Sequence, residues 1–125
     1  MAEKIYTETA PAAIGPYSQA VKAGNTIYTS GQIAIVPATG NIEATDIQGQ
    51  TEQVMKNLSE VLKAAGTDFS RVVKTTCFLA DIADFAEFNK IYGNYITEKP
   101  ARSCVAVKDL PKGALVEVEV IAVTD

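Results

Sequence analysis

The sequence predicts an α+β domain: one sheet of about five or six strands, with two amphipathic helices covering one of its faces. Three observations point there. Strand-like and helix-like stretches follow one another in the order strands, helix, strand, helix, strands. Two stretches repeat their apolar residues at the 3.6-residue period of a helix, whereas the others alternate or are β-branched. The 125 residues are 47% hydrophobic and 21% charged, which suits one compact domain over residues 1–125.

Taken in order, residues 11–16 form a loop bounded by Pro11 and Pro16. Residues 17–23 and 26–35 read as strands joined by a turn at Gly24-Asn25. Gly31 interrupts the second strand and marks a bulge or a close approach of backbone. Residues 36–44, with Pro37 and Gly40-Asn41, read as a loop. The first helix follows, capped either by Thr45 with Gln48 three residues on, or by Asp46. Val54, Leu58, Val61, Leu62 and Ala65 line its apolar face, and Gly66 ends it. Residues 71–80 are rich in β-branched and aromatic side chains and predict a strand. Asp84 with Glu87 predicts the start of a second helix, striped by Phe85, Phe88, Ile91, Tyr92 and Tyr95. It ends before Pro100. Residues 102–107 and 115–123 are two further strands, joined through Leu110-Pro111-Lys112-Gly113.

Two helices leave the second sheet face uncovered. In the last strand Val116, Val118 and Val120 share one face, and Glu117, Glu119 and Ile121 share the other. A mixed face of that kind is either solvated or buried between subunits, and the pattern favours an oligomer.

Composition excludes several classes of function. Lys plus Arg is 11 against 15 for Asp plus Glu, a net charge of −4. Neither nucleic acid nor an anionic membrane is an expected partner for such a chain. There is no histidine, which removes the commonest general base and most zinc and haem sites. Two cysteines are too few for a four-cysteine metal site. No metal or cofactor is expected. The first residues lack the apolar core of a signal peptide, no run reaches the ~20 apolar residues of a membrane helix, and reduced thiols suit a cytoplasmic protein.

The chemistry must then come from arginine and carboxylates. Arg102 and Cys104 share one face of their strand by the two-residue period, with Ser103, Val105 and Val107 assigned to the core. If this strand lies beside the last one, Arg102, Cys104, Glu117 and Glu119 share a face. Pattern alone favours a surface arginine paired with a carboxylate, and a small core cysteine. The functional alternative is an anion site, because guanidinium holds a carboxylate through two parallel hydrogen bonds. A neighbouring glutamate would activate water there, and spacing does not choose between Glu117 and Glu119. Only two of the cations are arginines, and Arg102 is the better placed to bind a carboxylate. Tyr17, Ser30, Gly31 and Asn89 are weaker candidates, each more often structural. Cys104 lacks an activating base and is a poor nucleophile.

Four stretches carry a resemblance. They are Ala13-Ile14-Gly15-Pro16-Tyr17-Ser18-Gln19-Ala20; Tyr28-Thr29-Ser30-Gly31-Gln32; Val73-Lys74-Thr75-Thr76 leading to Asp84-Phe85; and Pro100-Ala101-Arg102-Ser103-Cys104-Val105 with Val116-Glu117-Val118-Glu119. Together they span nearly the whole chain, which resembles the Rid (YjgF-type) family of the 2-iminobutanoate/2-iminopropanoate deaminase kind. The resemblance implies a chorismate-mutase-like α+β fold, a mixed sheet of about six strands with two helices on one face. It implies a homotrimer with ligand sites in the clefts between subunits. The implied reaction is hydrolysis of 2-imino acids, released by pyridoxal-phosphate dehydratases, to 2-oxo acids and ammonia. By family position Arg102 and Glu117 would be catalytic, Arg102 holding the carboxylate and Glu117 the water. Gly31 and Cys104 would contact the ligand, and Tyr17, Ser30 and Asn89 would shape the pocket. A binding or chaperone-like module for small carboxylates is the first alternative, and an endoribonuclease that inhibits translation is the second.

Overall fold

A computed structural model describes residues 2–125. Its strands are β1 (Glu3–Ile5), β2 (Ala20–Ala23), β3 (Thr26–Thr29), β4 (Ile35–Val36), β5 (Asn41–Ile42), β6 (Val72–Leu79), β7 (Ala101–Ala106) and β8 (Val116–Val123). The helices are α1 (Ile47–Ala64) and α2 (Phe85–Tyr95). Six strands form one sheet in the order β1-β2-β3-β8-β6-β7, while β4 and β5 make a separate hairpin. The β6–β7 pair is parallel and its neighbour β6–β8 antiparallel, so the sheet is mixed.

Local chemistry explains the boundaries. Asp46 is the cap of α1: its Oδ1 accepts a hydrogen bond from the Gly49 amide at 2.7 Å. Gly66, with φ at +83°, turns the chain away after the helix in a conformation that costs glycine little. Asp84 stands at the cap position of α2 but accepts no side-chain hydrogen bond there. Asp81 does that work one turn earlier, accepting from the Ala83 amide at 2.9 Å. The strand expected over 17–23 begins only at Ala20, because a tight turn joins the Tyr17 amide to the Gly15 carbonyl at 2.8 Å. The strand expected over 26–35 stops at Thr29. Beyond it only Gln32 rejoins the sheet, exchanging backbone hydrogen bonds with Val118 at 2.9 and 3.1 Å. The stretch expected as a loop holds the β4–β5 hairpin, and β1 is too short for its periodicity to register.

The core lies between the sheet and α1. Val54, Leu58, Val61 and Leu62 are fully buried, against Thr75, Cys77, Leu79, Val116, Val118 and Ala122, which are buried as completely. We expect Leu58→Ala to cost about 2–5 kcal/mol, since a buried cavity adds to the lost transfer energy. Urea denaturation checks this, and a loss below about 1 kcal/mol would contradict the packing described.

The opposite sheet face carries Tyr28, Thr76, Phe78, Glu117, Glu119 and Ile121, and neither helix covers it. Among the described residues, no helix is long and apolar enough to cross a membrane.

The structure corrects one expectation about the faces. β7 lies beside β6, not beside β8. Its register pairs Arg102 with Thr75 and Cys104 with Cys77, both on the helix-covered side. Arg102 and Cys104 therefore share the face of Val116, Val118 and Val120, not that of Glu117 and Glu119. Val105, assigned to the core by its apolar character, is 46% exposed on the open face. The physical reason is that β7 is an edge strand. Its helix-facing side reaches past the core to the rim of α2, where a long charged side chain fits.

Candidate functional site

The candidate residues fall into two groups. The first surrounds a cavity of about 270 Å³ lined by Pro11, Ile14, Tyr17, Gly31, Lys112 and Glu117 among others. Gln19 builds one wall. Its side chain is buried, accepting from the Thr7 amide at 2.7 Å and donating to the carbonyls of Thr7 and Pro11 at 3.0 and 2.8 Å. One amide thus ties residues 7–11 to the start of β2. The Ser30 hydroxyl donates to the Ser18 carbonyl at 2.6 Å, which fixes the segment carrying Tyr17. Ser30 braces the wall and does not line the cavity.

Gly31 passes directly over Glu117. A Cβ placed on Gly31 would stand 2.7 Å from Glu117 Cδ, so any side chain here would push the Glu117 carboxylate out of its present position. Burial pushes the Glu117 carboxyl above the usual carboxylate range, and the Glu119 charge pushes it the same way. Among the described residues the one ion pair joins Lys90 and Glu87, so Glu117 is in no salt bridge.

The second group stands at the β7 edge, and none of its members lines that cavity. The Arg102 guanidinium donates to Asn89 Oδ1 at 2.6 Å. Its Cζ lies 5.5 Å from the Phe85 ring centroid and 5.0 Å from that of Tyr92. Phe85, Asn89 and Tyr92 occur at steps of four and three residues, one face of α2, and together they orient a planar cation. Asn89 is unfavourable within a helix, and its contact with Arg102 accounts for it. The remaining guanidinium N–H groups are available to an anion. Cys104 is half-buried, and burial pushes its thiol up despite the nearby Arg102 cation. Cys77, its partner across the strands, is buried and pushed up to about 12. Both stay protonated at neutral pH, and neither is a ready nucleophile.

The structure thus brings together Tyr17, Gly31 and Glu117, and separately Asn89, Arg102 and Cys104. Within one chain the two groups lie on opposite sides of the sheet, with β6 between β7 and β8. Sequence reasoning missed Gln19, which has no periodic signature. It also missed the second use of Phe85 and Tyr92, which read as core stripe although their spacing with Asn89 was visible. Among the described residues, no three His, Cys, Asp or Glu side chains gather as metal ligands.

The chain has known relatives. Residues 7–124 match the family model described as Endoribonuclease L-PSP. The chain is 51% identical over 120 residues to the 2-iminobutanoate/2-iminopropanoate deaminase of Mus musculus, covering 95% of this chain and 89% of the mouse protein. It is 51% identical over 121 residues to the chloroplastic Reactive Intermediate Deaminase A of Arabidopsis thaliana, covering 96% and 65% respectively. The crystal structure of E. coli TdcF with bound serine superposes with a TM-score of 0.93 at 41% identity, covering 98% of this chain and 99% of TdcF.

Proposed function

Since the chain belongs to the Rid, or Endoribonuclease L-PSP, family, we propose that it hydrolyses small 2-imino acids such as 2-iminobutanoate and 2-iminopropanoate. The observation that carries this reading is the pair of half-sites. One presents a guanidinium already oriented by Asn89, Phe85 and Tyr92. The other presents an unpaired, partly desolvated carboxylate in a cavity sized for a small molecule. A 2-imino acid needs both: a cation for its carboxylate, and a base beside its electrophilic carbon.

The reaction balances without a cofactor. Arg102 holds the substrate carboxylate and fixes C2 in place. Glu117 takes a proton from water as the oxygen adds to C2 of the protonated imine. The resulting amino alcohol passes its hydroxyl proton to nitrogen and expels ammonia, leaving the 2-oxo acid. A carboxyl raised toward neutrality suits Glu117 to accept and return that proton. Cys104 remains a thiol on the same strand face as Arg102. Imines already react with water, so positioning and one base are enough.

The two half-sites do not meet within one chain, so the site is completed between copies. The uncovered sheet face supports the same reading, because a homotrimer buries such a face and brings the halves of different copies together. The cellular consequence is removal of the reactive imines and enamines that dehydratases release, before they damage pyridoxal-phosphate enzymes. The family description names a ribonuclease. A net charge of −4 and the absence of histidine give this chain little with which to bind and cleave RNA.

The test is a coupled assay. A threonine dehydratase generates 2-iminobutanoate in the presence of semicarbazide, which traps the imine. The protein should lower the trapped fraction and speed formation of 2-oxobutanoate. No effect at any protein concentration would refute the deaminase reading and leave a small-carboxylate binding module.

A further inference from the structure

Lys112 adopts φ 56° and ψ 24°, a left-handed conformation that a lysine reaches only against steric cost. Gly113, next in the chain, is also left-handed at φ 66°. Glycine at position 112 would make this turn without strain, so the turn alone does not require a lysine. Where the side chain stands gives the reason. Lys112 lines the Glu117 cavity and also an adjoining recess of about 130 Å³. The two share Pro11, Ala12, Ile14, Ile35 and Lys112, and of these Lys112 is the one cation, on an exposed residue.

Charge is sparse there. Lys112 and Glu117 are the only charged residues lining the cavity. They do not neutralise each other, since the one ion pair among the described residues lies elsewhere. An anionic substrate approaching this chain meets a net charge of −4 and, inside the cavity, a carboxylate. A cation lining this cavity offsets that repulsion on the Glu117 side, where Arg102 does not reach within one chain.

We infer that Lys112 is a steering residue, whose ammonium favours entry of small 2-imino- and 2-oxo-carboxylates into the cavity it lines. This rests on the deaminase reading of the same site. It assigns Lys112 a part distinct from that of Arg102: Arg102 holds the carboxylate in a fixed geometry, and Lys112 supplies a long-range field. A point charge on a flexible stem suits the second task as a planar fork suits the first.

The test is binding of the stable product 2-oxobutanoate, followed through the Gly31 amide resonance, at about 20 mM and about 300 mM salt. Wild-type protein should bind more weakly at the higher salt. Lys112→Gln should raise Kd about 3- to 10-fold at low salt and flatten the salt dependence. Lys112→Gly, which also relieves the left-handed strain, should behave as Lys112→Gln does. Lys112→Arg should restore both affinity and salt slope, a rescue that a purely structural role would not produce. Wild-type affinity and slope in the Gln and Gly variants would overturn the steering role and leave the deaminase reading standing. Absence of 2-oxobutanoate binding by the wild type would overturn both.

Discussion

Arg102→Ala is expected to lower kcat/KM for 2-iminobutanoate by about 100- to 1,000-fold while leaving the fold intact. Removing one partner of a desolvated charge pair costs about 3–4 kcal/mol, and each 1.36 kcal/mol is about tenfold in rate. The side chain itself is exposed and makes one hydrogen bond, to Asn89, and two contacts with aromatic rings. Exposed contacts of that kind are worth about 0.5–1 kcal/mol each, so their combined loss stays below about 3 kcal/mol and the variant should still fold cooperatively in urea. Arg102→Lys should recover only part of the loss, because an ammonium restores the charge without the two-pronged geometry. Unchanged kcat/KM in the alanine variant would remove Arg102 from the site.

Glu117→Gln should lower kcat about 100-fold with little change in KM, because it removes a base used only as water adds. The same substitution carries a pH signature in stability. Burial and Glu119 raise the folded-state value of Glu117 above 4.5, so ionising it works against the fold. The neutral glutamine variant should therefore be the more stable protein above the raised value. Its advantage should shrink as pH falls through that value and vanish below the ordinary 4.5. A variant less stable than wild type at neutral pH would mean that the carboxylate is held by interactions favouring its charge. Activity of the wild type should fall with acid over the same window as Glu117 takes up its proton.

Much of this was legible in the chain. The two helices announce themselves by apolar period, and the alternation of Val116, Val118 and Val120 correctly gives the core face of β8. The motifs of the Rid resemblance single out the residues proposed as functional. The arrangement of those residues was not legible. Alternation fixes which residues share a face, but not which face is the core. In β7 the apolar set, with Val105, points outward because the strand is at an edge, where burial no longer selects apolar side chains. Strand order was equally hidden. Residues 101–106 and 116–123 are neighbours in sequence, yet β6 separates them, so Arg102 and Glu117 lie apart. The wall of the cavity depends on the amide of Gln19 and on the crossing of Gly31 over Glu117, both long-range contacts without local pattern.

On the proposed reading a working site takes Arg102 from one copy and Glu117 from another. Arg102→Ala and Glu117→Gln chains carrying different tags, co-expressed and purified through both tags, would form mixed trimers in the proposed assembly. In every such mixed trimer one of the three interfaces joins an intact Arg102 to an intact Glu117. About one third of wild-type activity is expected from a mixture whose parents are each nearly inactive. Activity no higher than that of the parents would rule out a site shared between copies.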